Sequence, residues 1–132
     1  MLKLLLAVLV FVAVPFCNAV TSGTSGMATM HQCGLSVKSQ DGGTLTPMET
    51  ALSIQCAAMA EGVMDTLVIW GTTAKAHGTT LQGTACFPVE MTVGQAVRVA
   101  FKYMQGHPEL LHLEGAALMY LALTDSFPCP VV

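Results

Sequence analysis

The sequence predicts a small all-α domain that is stapled by disulfide bonds. Two capping-box patterns, Thr46-Pro47-Met48-Glu49 and Thr92-Val93-Gly94-Gln95, each precede apolar residues spaced three and four positions apart, which is typical of helices that face a core. Four cysteines follow a pattern typical of export signals, and an even number of cysteines in an exported chain usually means disulfides. We therefore expect about four helices, the last two forming a C-terminal antiparallel hairpin.

The N-terminus has the pattern of a signal peptide. Lys3 precedes an uncharged apolar stretch over residues 4–14, and Cys17-Asn18-Ala19 offers small residues at a cleavage site. The stretch is shorter than the roughly 20 apolar residues that span a membrane, and no later stretch reaches that length without charge. Val14-Pro15-Phe16 does not fit a lipoprotein signal, so we expect Cys17 to be removed with the leader. The prediction is a signal peptide over residues 1–19 and one exported domain over residues 20–132.

The charge balance excludes two classes of partner. The chain has five Lys and Arg residues against eight Asp and Glu residues, a formal net charge of −3, and loss of Lys3 with the leader makes it −4. Without a basic stripe the protein has no means to displace counterions from nucleic acid, and it has no electrostatic attraction to an anionic membrane surface. We therefore expect neither nucleic acid nor membrane as a partner of the mature chain.

The helices can be placed from their caps and stripes. A short helix is expected over residues 27–33, followed by a turn over residues 40–43. The first strong helix is predicted over residues 47–70, with a core-facing stripe that consists of Leu52, Cys56, Met59, Val63, Leu67 and Trp70. Residues 71–91 contain glycines, threonines and a proline without a sustained period, and we expect a long loop there.

The C-terminal half predicts a helix hairpin. One helix follows Thr92 and ends at Gly106, and a second is expected from Pro108 to about Thr124, before Phe127-Pro128-Cys129 stops it. Helices of about 14 and 16 residues span roughly 21 and 24 Å, so an antiparallel pair brings the flanking cysteines to the same end. The expected disulfides are Cys86–Cys129 and, by elimination, Cys33–Cys56.

The residues give no support for catalysis, a metal site or a cofactor. No HExxH or CxxC motif is present, and His107 and His112 are five residues apart, so they do not share a helical face. Met27, Met30 and His31 near Cys33 could form a soft site for a cuprous ion, but core packing and a disulfide explain them better. We expect no enzyme activity, no metal and no cofactor.

Two segments are candidates for contact with a protein partner. The predicted loop could present an apolar anchor among hydrogen-bonding groups, and its candidate contact residues are Lys75, His77, Thr79, Thr80, Leu81 and Gln82. The other candidate is the pair Glu61 and Asp65, like charges four residues apart that could be kept for a basic partner. An ordinary mobile loop and a solvated helix face explain the same residues without function.

The residues also resemble those of a known family, the Tai-like (Rap/Tai) immunity proteins, which protect bacteria against peptidoglycan amidase effectors delivered by type VI secretion. The matching positions, in order, are Cys33, Cys56 with Gly62-Val63-Met64-Asp65, Cys86-Phe87-Pro88, Val93-Gly94-Gln95, His107-Pro108-Glu109, and Ala122-Leu123 before Phe127-Pro128-Cys129. Ala57-Ala58-Met59 departs from the Gly-Tyr pair that relatives commonly have after the second cysteine.

The resemblance implies a compact helical domain, often a homodimer, that acts in the periplasm and blocks a Cys-His amidase. The first hypothesis is therefore immunity by occlusion of the active site of a cognate amidase effector. The rival hypothesis is an exported envelope protein with a structural or small-ligand-carrier role and no toxin partner. An amidase gene beside this one favours the first, and a tightly held apolar ligand favours the second.

Overall fold

The protein is helical throughout the part that the computed structural model describes, residues 23–79 and 83–130. Its four α-helices are α1 (Gly26–Gln40), α2 (Pro47–Ala76), α3 (Val93–Gly106) and α4 (Gly115–Ser126), and a 3₁₀ turn, Pro108–Leu110, lies between the last two. No strand occurs in these two ranges, only isolated bridges. The predicted all-α fold with four helices is confirmed, whereas the predicted signal peptide lies outside the described residues.

Both predicted capping boxes are formed. The backbone N–H of Glu49 donates to Thr46 Oγ1 at 3.2 Å, and that of Thr46 donates to Glu49 Oε2 at 2.7 Å. Thr92 and Gln95 make the same reciprocal pair at 3.2 and 2.9 Å. Each box satisfies two backbone donors that the first turn of a helix leaves free, which fixes the starts of α2 and α3.

Two disulfides connect the helices with the predicted pairing. Cys33–Cys56 joins α1 to α2 with a Cα–Cα distance of 5.1 Å, and Cys86–Cys129 joins the segment before α3 to the segment after α4 at 4.8 Å. Because the second bond brings the start of α3 beside the end of α4, these two helices are antiparallel. All four described cysteines are paired, as predicted.

The core lies where α1, α2, α3 and α4 meet, and small residues let the helices approach closely. Ala60 of α2, Ala96 and Ala100 of α3 and Ala122 of α4 are all fully buried. Larger side chains fill the space between them: Leu67, Val97, Met104, Leu118, Met119 and Leu123. The interior is close-packed around one centre, with both sulfurs of Cys33–Cys56 inside it.

Two helices are longer than the sequence predicts. The expected helix over residues 27–33 continues to Gln40, because Leu35 and Ser36 are also buried by tertiary packing. α2 continues from the predicted end at residue 70 to Ala76, and within this extension the Thr72 hydroxyl donates to Val68 O and Ile69 O. Extending an existing helix costs much less free energy than starting one, so a segment without periodicity can still be helical.

The prediction for the last helix is wrong at its N-terminal end. Instead of one helix from Pro108 to about Thr124, the 3₁₀ turn ends at Leu110 and α4 begins only at Gly115. The N-terminal segment explains the break, because it bonds to this stretch: Gly26 N–H donates to Leu113 O at 2.8 Å, and Gly115 N–H donates to Thr24 O at 2.7 Å. These contacts between distant parts of the chain are not visible in local sequence patterns.

Candidate partner-binding surface

The outer face of α2 carries a continuous exposed stripe. Glu61, Asp65, Val68, Thr72 and Lys75 follow one another at intervals of four, three, four and three residues, and all five are exposed. That spacing places them on one side of the helix, and the buried Cys56, Ala60 and Leu67 lie on another. We call these five residues the outer stripe. Lys75, a candidate from the predicted loop, therefore lies on the same helix face as the other candidate pair, Glu61 and Asp65.

The end of α2 extends beyond the core. Leu67 is the last buried residue of the helix, and the three residues that follow it have large exposed fractions: Val68 48%, Ile69 61% and Trp70 56%. The expectation that Trp70 belongs to the core is therefore wrong. Because successive residues of a helix point in different directions, these apolar side chains surround the protruding end, which is typical of a region that another molecule covers.

The segment after α2 is shorter than the predicted loop over residues 71–91, and its candidate residues are differently placed. Lys75 is in the last turn of α2, and His77 is the C-cap residue. Thr79 donates a hydrogen bond from Oγ1 to Ala74 O at 3.1 Å, so it folds back on the helix end. The remaining candidates, Thr80, Leu81 and Gln82, lie outside the described residues.

The far side of this loop is anchored to α4. Tyr120 Oη donates a hydrogen bond to Gly83 O at 2.7 Å, and Thr84 and Ala85 are buried. Cys86 N–H donates to Phe127 O at 2.9 Å, next to the Cys86–Cys129 disulfide. The loop therefore leaves from the protruding end of α2 and returns to a fixed point on the body of the protein.

The two carboxylates of the outer stripe differ from Asp41 and Glu49, which are held in ion pairs. Asp41 is paired with Arg98 and Glu49 with Lys38, whereas Glu61 and Asp65 have no ion pair with any residue in the described ranges. Two carboxylates four residues apart repel each other, so the Glu61 and Asp65 end of the stripe offers a negative potential, while Lys75 lies at the other end. A basic group that approaches Glu61 and Asp65 has no ion pair to break among the described residues.

Two other carboxylates have lowered pKa values, and both lie outside the stripe. The backbone N–H of Thr46 holds the pKa of Glu49 below its usual range, with help from the Thr46 hydroxyl and Lys38. The pKa of Glu109 is lowered by its own backbone N–H and by His107, whose Nδ1 is 3.0 Å from Glu109 Oε1. The first belongs to a helix cap and the second to the turn between α3 and α4, so we read both as structural.

The histidines near this turn make contacts within the turn and with α3. The ring of His107 packs on Tyr103 with centroids 4.3 Å apart, and His112 Nδ1 is 2.8 Å from Glu109 O. Across residues 23–79 and 83–130, no group of three or more His, Cys, Asp or Glu side chains could hold a metal ion.

A shallow apolar groove lies on the opposite part of the molecule from the tip of α2, beside the second disulfide. It has a volume of about 360 Å³, and its lining residues are Pro88, Glu90, Met91, Gln95, Arg98, Val99 and Phe127. The volume falls within the range of small-ligand sites. Its only cation, Arg98, is already bonded to Asp41.

One helix in the described part of the chain, α2, is long and apolar enough to cross a membrane by length and composition. Its most apolar window of 18 residues has a mean hydropathy of 1.4, and 22% of that window is buried within the fold. The same helix is tied to α1 by Cys33–Cys56 and carries Glu61 and Asp65 near its middle. Charged groups at mid-helix are costly in lipid, so the exposed apolar surface fits a protein contact better.

Comparison with known proteins identifies a family. The family model described as Rap1a immunity proteins matches residues 25–129, which include all four helices and both disulfides. No curated protein and no solved structure was found to match the chain.

Proposed function

The chain belongs to the Rap1a immunity protein family, and on this premise we propose that it is a periplasmic immunity protein that binds and occludes a peptidoglycan amidase effector delivered by type VI secretion. An immunity protein neutralises a secreted effector by binding it, so the partner is the cognate effector. The amidase as target, the periplasm and the secretion system are the finer parts of the proposal. We also propose that the protein has no enzyme activity of its own.

The family match over residues 25–129 is the observation that carries this proposal. Three features support its finer parts. The N-terminal sequence has the pattern of an export signal, the two disulfides suit an oxidising compartment, and the helical scaffold fits a binding role. Peptidoglycan lies in the periplasm, so an inhibitor of an amidase that attacks it has to work there.

We place the inhibitory contact at the tip of α2 and the loop that follows it. An active-site groove is blocked best by a convex element, and α2 projects beyond the core from Val68 to Ala76. The loop is held at its far side by Tyr120 and by Cys86–Cys129, which reduces the entropy that binding has to remove. Leu81 and Gln82 are the residues that we place in the groove, with Lys75 and His77 beside them.

The test is to identify an amidase among the neighbouring genes and to produce it together with this protein. The amidase is directed to the periplasm of a bacterial host, and lysis is followed with and without this protein. We expect full protection by the wild-type chain and a dissociation constant below 1 µM, on the order of other specific inhibitory complexes. A neighbouring gene set without an amidase, or continued lysis, contradicts the amidase as target.

Two variants locate the contact. Replacing Leu81 and Gln82 by Gly and Ser should weaken amidase binding by about 10-fold or more, since a buried anchor at the centre of an interface is typically worth more than 1.4 kcal/mol. Met48→Ser is the matched control, because Met48 is 70% exposed at the start of α2, about 40 Å from the C-terminal end of that helix. Circular dichroism checks that each variant keeps its fold. If the affinity stays unchanged, the contact lies elsewhere, and Glu61→Ala with Asp65→Ala is the next pair to test.

We also propose that the protein forms a homodimer. Ile69 and Trp70 are exposed on sides of α2 other than the outer stripe, so they can lie against a second copy while the stripe stays free. Light scattering of the purified protein measures the mass directly, and Ile69→Asp should shift a dimer toward the monomer. A monomeric mass for the wild-type protein over the micromolar range contradicts this part.

The rival function is that of a small-ligand carrier, and the groove beside Phe127 and Arg98 is the observation that favours it. Native mass spectrometry of the protein as purified distinguishes the two functions. A bound apolar ligand that is lost in Val99→Asp supports the carrier. Protection against the amidase without any bound ligand supports the immunity protein.

A further inference from the structure

The two disulfides have very different access to solvent. Cys33 and Cys56 have no exposed surface, whereas Cys86 is exposed and Cys129 is half-buried. A disulfide is reduced only when a thiolate can reach one of its sulfurs along the S–S axis. From this contrast we propose that Cys86–Cys129 is a site of thiol–disulfide exchange with dithiols, while Cys33–Cys56 is closed to them until the core opens.

The side chain of Thr84 favours exchange in one direction. Its Oγ1 lies 3.4 Å from Cys129 Sγ, and because a disulfide sulfur carries no hydrogen, the hydroxyl is the donor. A donor on the departing sulfur stabilises the thiolate, which makes that cysteine the better leaving group. Cys86 is also the more exposed partner, so both observations place the attack on Cys86 and the departure on Cys129.

The reaction balances with an external dithiol as the reductant. Its thiolate attacks Cys86 Sγ, a new S–S bond forms between the reagent and Cys86, and the electron pair of the broken bond goes to Cys129 as a thiolate. The second thiol of the reagent then attacks the mixed disulfide at the reagent's own sulfur and releases Cys86. The protein disulfide gains two electrons and two protons, and the dithiol is oxidised to a disulfide.

Reduction of Cys86–Cys129 removes the covalent link between residues 83–88 and the segment after α4. The contacts that remain are Cys86 N–H to Phe127 O at 2.9 Å, the edge-to-face pair Phe87–Phe127 at 5.5 Å, and Tyr120 Oη to Gly83 O. All of them lie at one end of the molecule, and none involves the Cys33–Cys56 bond. The segment over residues 83–88, which follows the loop, therefore becomes mobile, while Cys33–Cys56 keeps α1 and α2 joined.

The first test measures the reduction of each disulfide in the purified folded protein. Dithiothreitol is added, samples are alkylated at intervals, and mass spectrometry follows each cysteine on its own peptide. We expect Cys86–Cys129 to be reduced at least about 100-fold faster, because the buried bond needs an opening that costs several kcal/mol. Similar rates for both bonds, or faster reduction of Cys33–Cys56, overturn the proposal.

Two further measurements test the direction of attack. Reduced glutathione, a monothiol, should leave its adduct on Cys86, and an adduct mainly on Cys129 contradicts the assigned direction. Thr84→Val removes the hydroxyl and keeps the side-chain volume, and it should slow reduction of Cys86–Cys129 severalfold. An unchanged or faster rate contradicts the role of Thr84. The rate of Cys33–Cys56 in the same variant shows whether the fold has loosened.

Hydrogen exchange tests whether reduction of Cys86–Cys129 loosens the segment over residues 83–88. In protein reduced and alkylated only at Cys86 and Cys129, the amide of Cys86 should exchange at least about 10-fold faster, because its bond to Phe127 O is no longer held by a covalent link. Amides of α1 and α2 should keep their protection. Unchanged exchange at Cys86, or loss of protection throughout the protein, overturns the local opening.

Discussion

At Gly115 the backbone of α4 lies against the side chain of Thr29 so closely that no other residue fits. A Cβ placed there would meet Thr29 Oγ1 and would lie 2.7 Å from Thr29 Cβ, well inside van der Waals contact. Thr29 is fully buried on α1, and its Oγ1 has no hydrogen-bond partner among the described residues. The close approach of α1 and α4 therefore depends on the absence of a Cβ at residue 115. It also buries the Thr29 hydroxyl in the core.

Gly115→Ala should destabilise the protein by about 1–3 kcal/mol, because the added methyl overpacks a region that cannot expand. Gly62→Ala is the matched control, since Gly62 is exposed in the middle of α2 with nothing within 4 Å of the added Cβ. There the same substitution should stabilise by about 0.5–1 kcal/mol through helix propensity. Urea unfolding measures both. Equal effects in the two variants would show that α1 and α4 do not approach as closely as described.

At the level of elements, α2 has two parts with different roles. Its first half packs on α1 and is fixed by the Thr46–Glu49 capping box and by Cys33–Cys56. Its second half buries only Leu67 and presents the outer stripe to solvent. The helix is thus a rigid support that carries an exposed end, which suits a contact surface.

Leu67→Ala should cost about 2–5 kcal/mol, the usual effect of truncating a fully buried leucine. Ile54→Ala, on the same helix but away from its protruding end, should change stability by less than about 0.5 kcal/mol, because Ile54 is 60% exposed. Thermal or urea unfolding of the two variants gives the comparison. A large loss in Ile54→Ala would mean that this position of α2 is covered in solution.

The cap of α2 makes stability depend on pH. Folding lowers the pKa of Glu49, so its contribution is present above the unfolded value of about 4.3 and is lost as the pH falls through the lower folded value. The urea midpoint should therefore fall below about pH 4.3, and Glu49→Gln should flatten that part of the curve. Gln95 occupies the same capping position in α3 without a charge, so Gln95→Glu should add a second dependence of the same sign. A slope unchanged in Glu49→Gln would exclude this cap as its source.

At the level of the whole molecule, two covalent links connect the four helices. Cys33–Cys56 closes a separation of 23 residues and Cys86–Cys129 one of 43. In the chain-entropy model each bond contributes roughly 3–4 kcal/mol by restricting the unfolded chain. A domain of this size has a total stability on the order of 5–15 kcal/mol, so the bonds make up a large share of it.

Complete reduction should therefore bring the protein close to its unfolding midpoint at room temperature. We expect far-ultraviolet circular dichroism of the fully reduced and alkylated chain to show a melting temperature at least about 20 °C lower, from the combined loss and the usual shift per kcal/mol. Protein reduced only at Cys86 and Cys129 should lie between the two. A reduced chain as stable as the oxidised one would show that packing alone holds the helices.

The sequence by itself determined the elements whose causes are local. The starts of α2 and α3 follow from Thr46-Pro47-Met48-Glu49 and Thr92-Val93-Gly94-Gln95, because a capping box needs only residues three positions apart. The disulfide pairing also followed, since α3 and α4 are of similar length and can bring Cys86 and Cys129 together only as a hairpin.

Only the tertiary structure decided what depends on distant residues. The start of α4 at Gly115 requires the N-terminal segment that bonds to it, and the exposure of Trp70 requires knowing where the core ends. The same holds for the candidate surface: the extension of α2 to Ala76 placed Lys75 on the stripe of Glu61 and Asp65. Spacing along the chain shows which side chains share a helix face. Whether that face is buried depends on where the other helices pack, and a local sequence pattern does not contain this information.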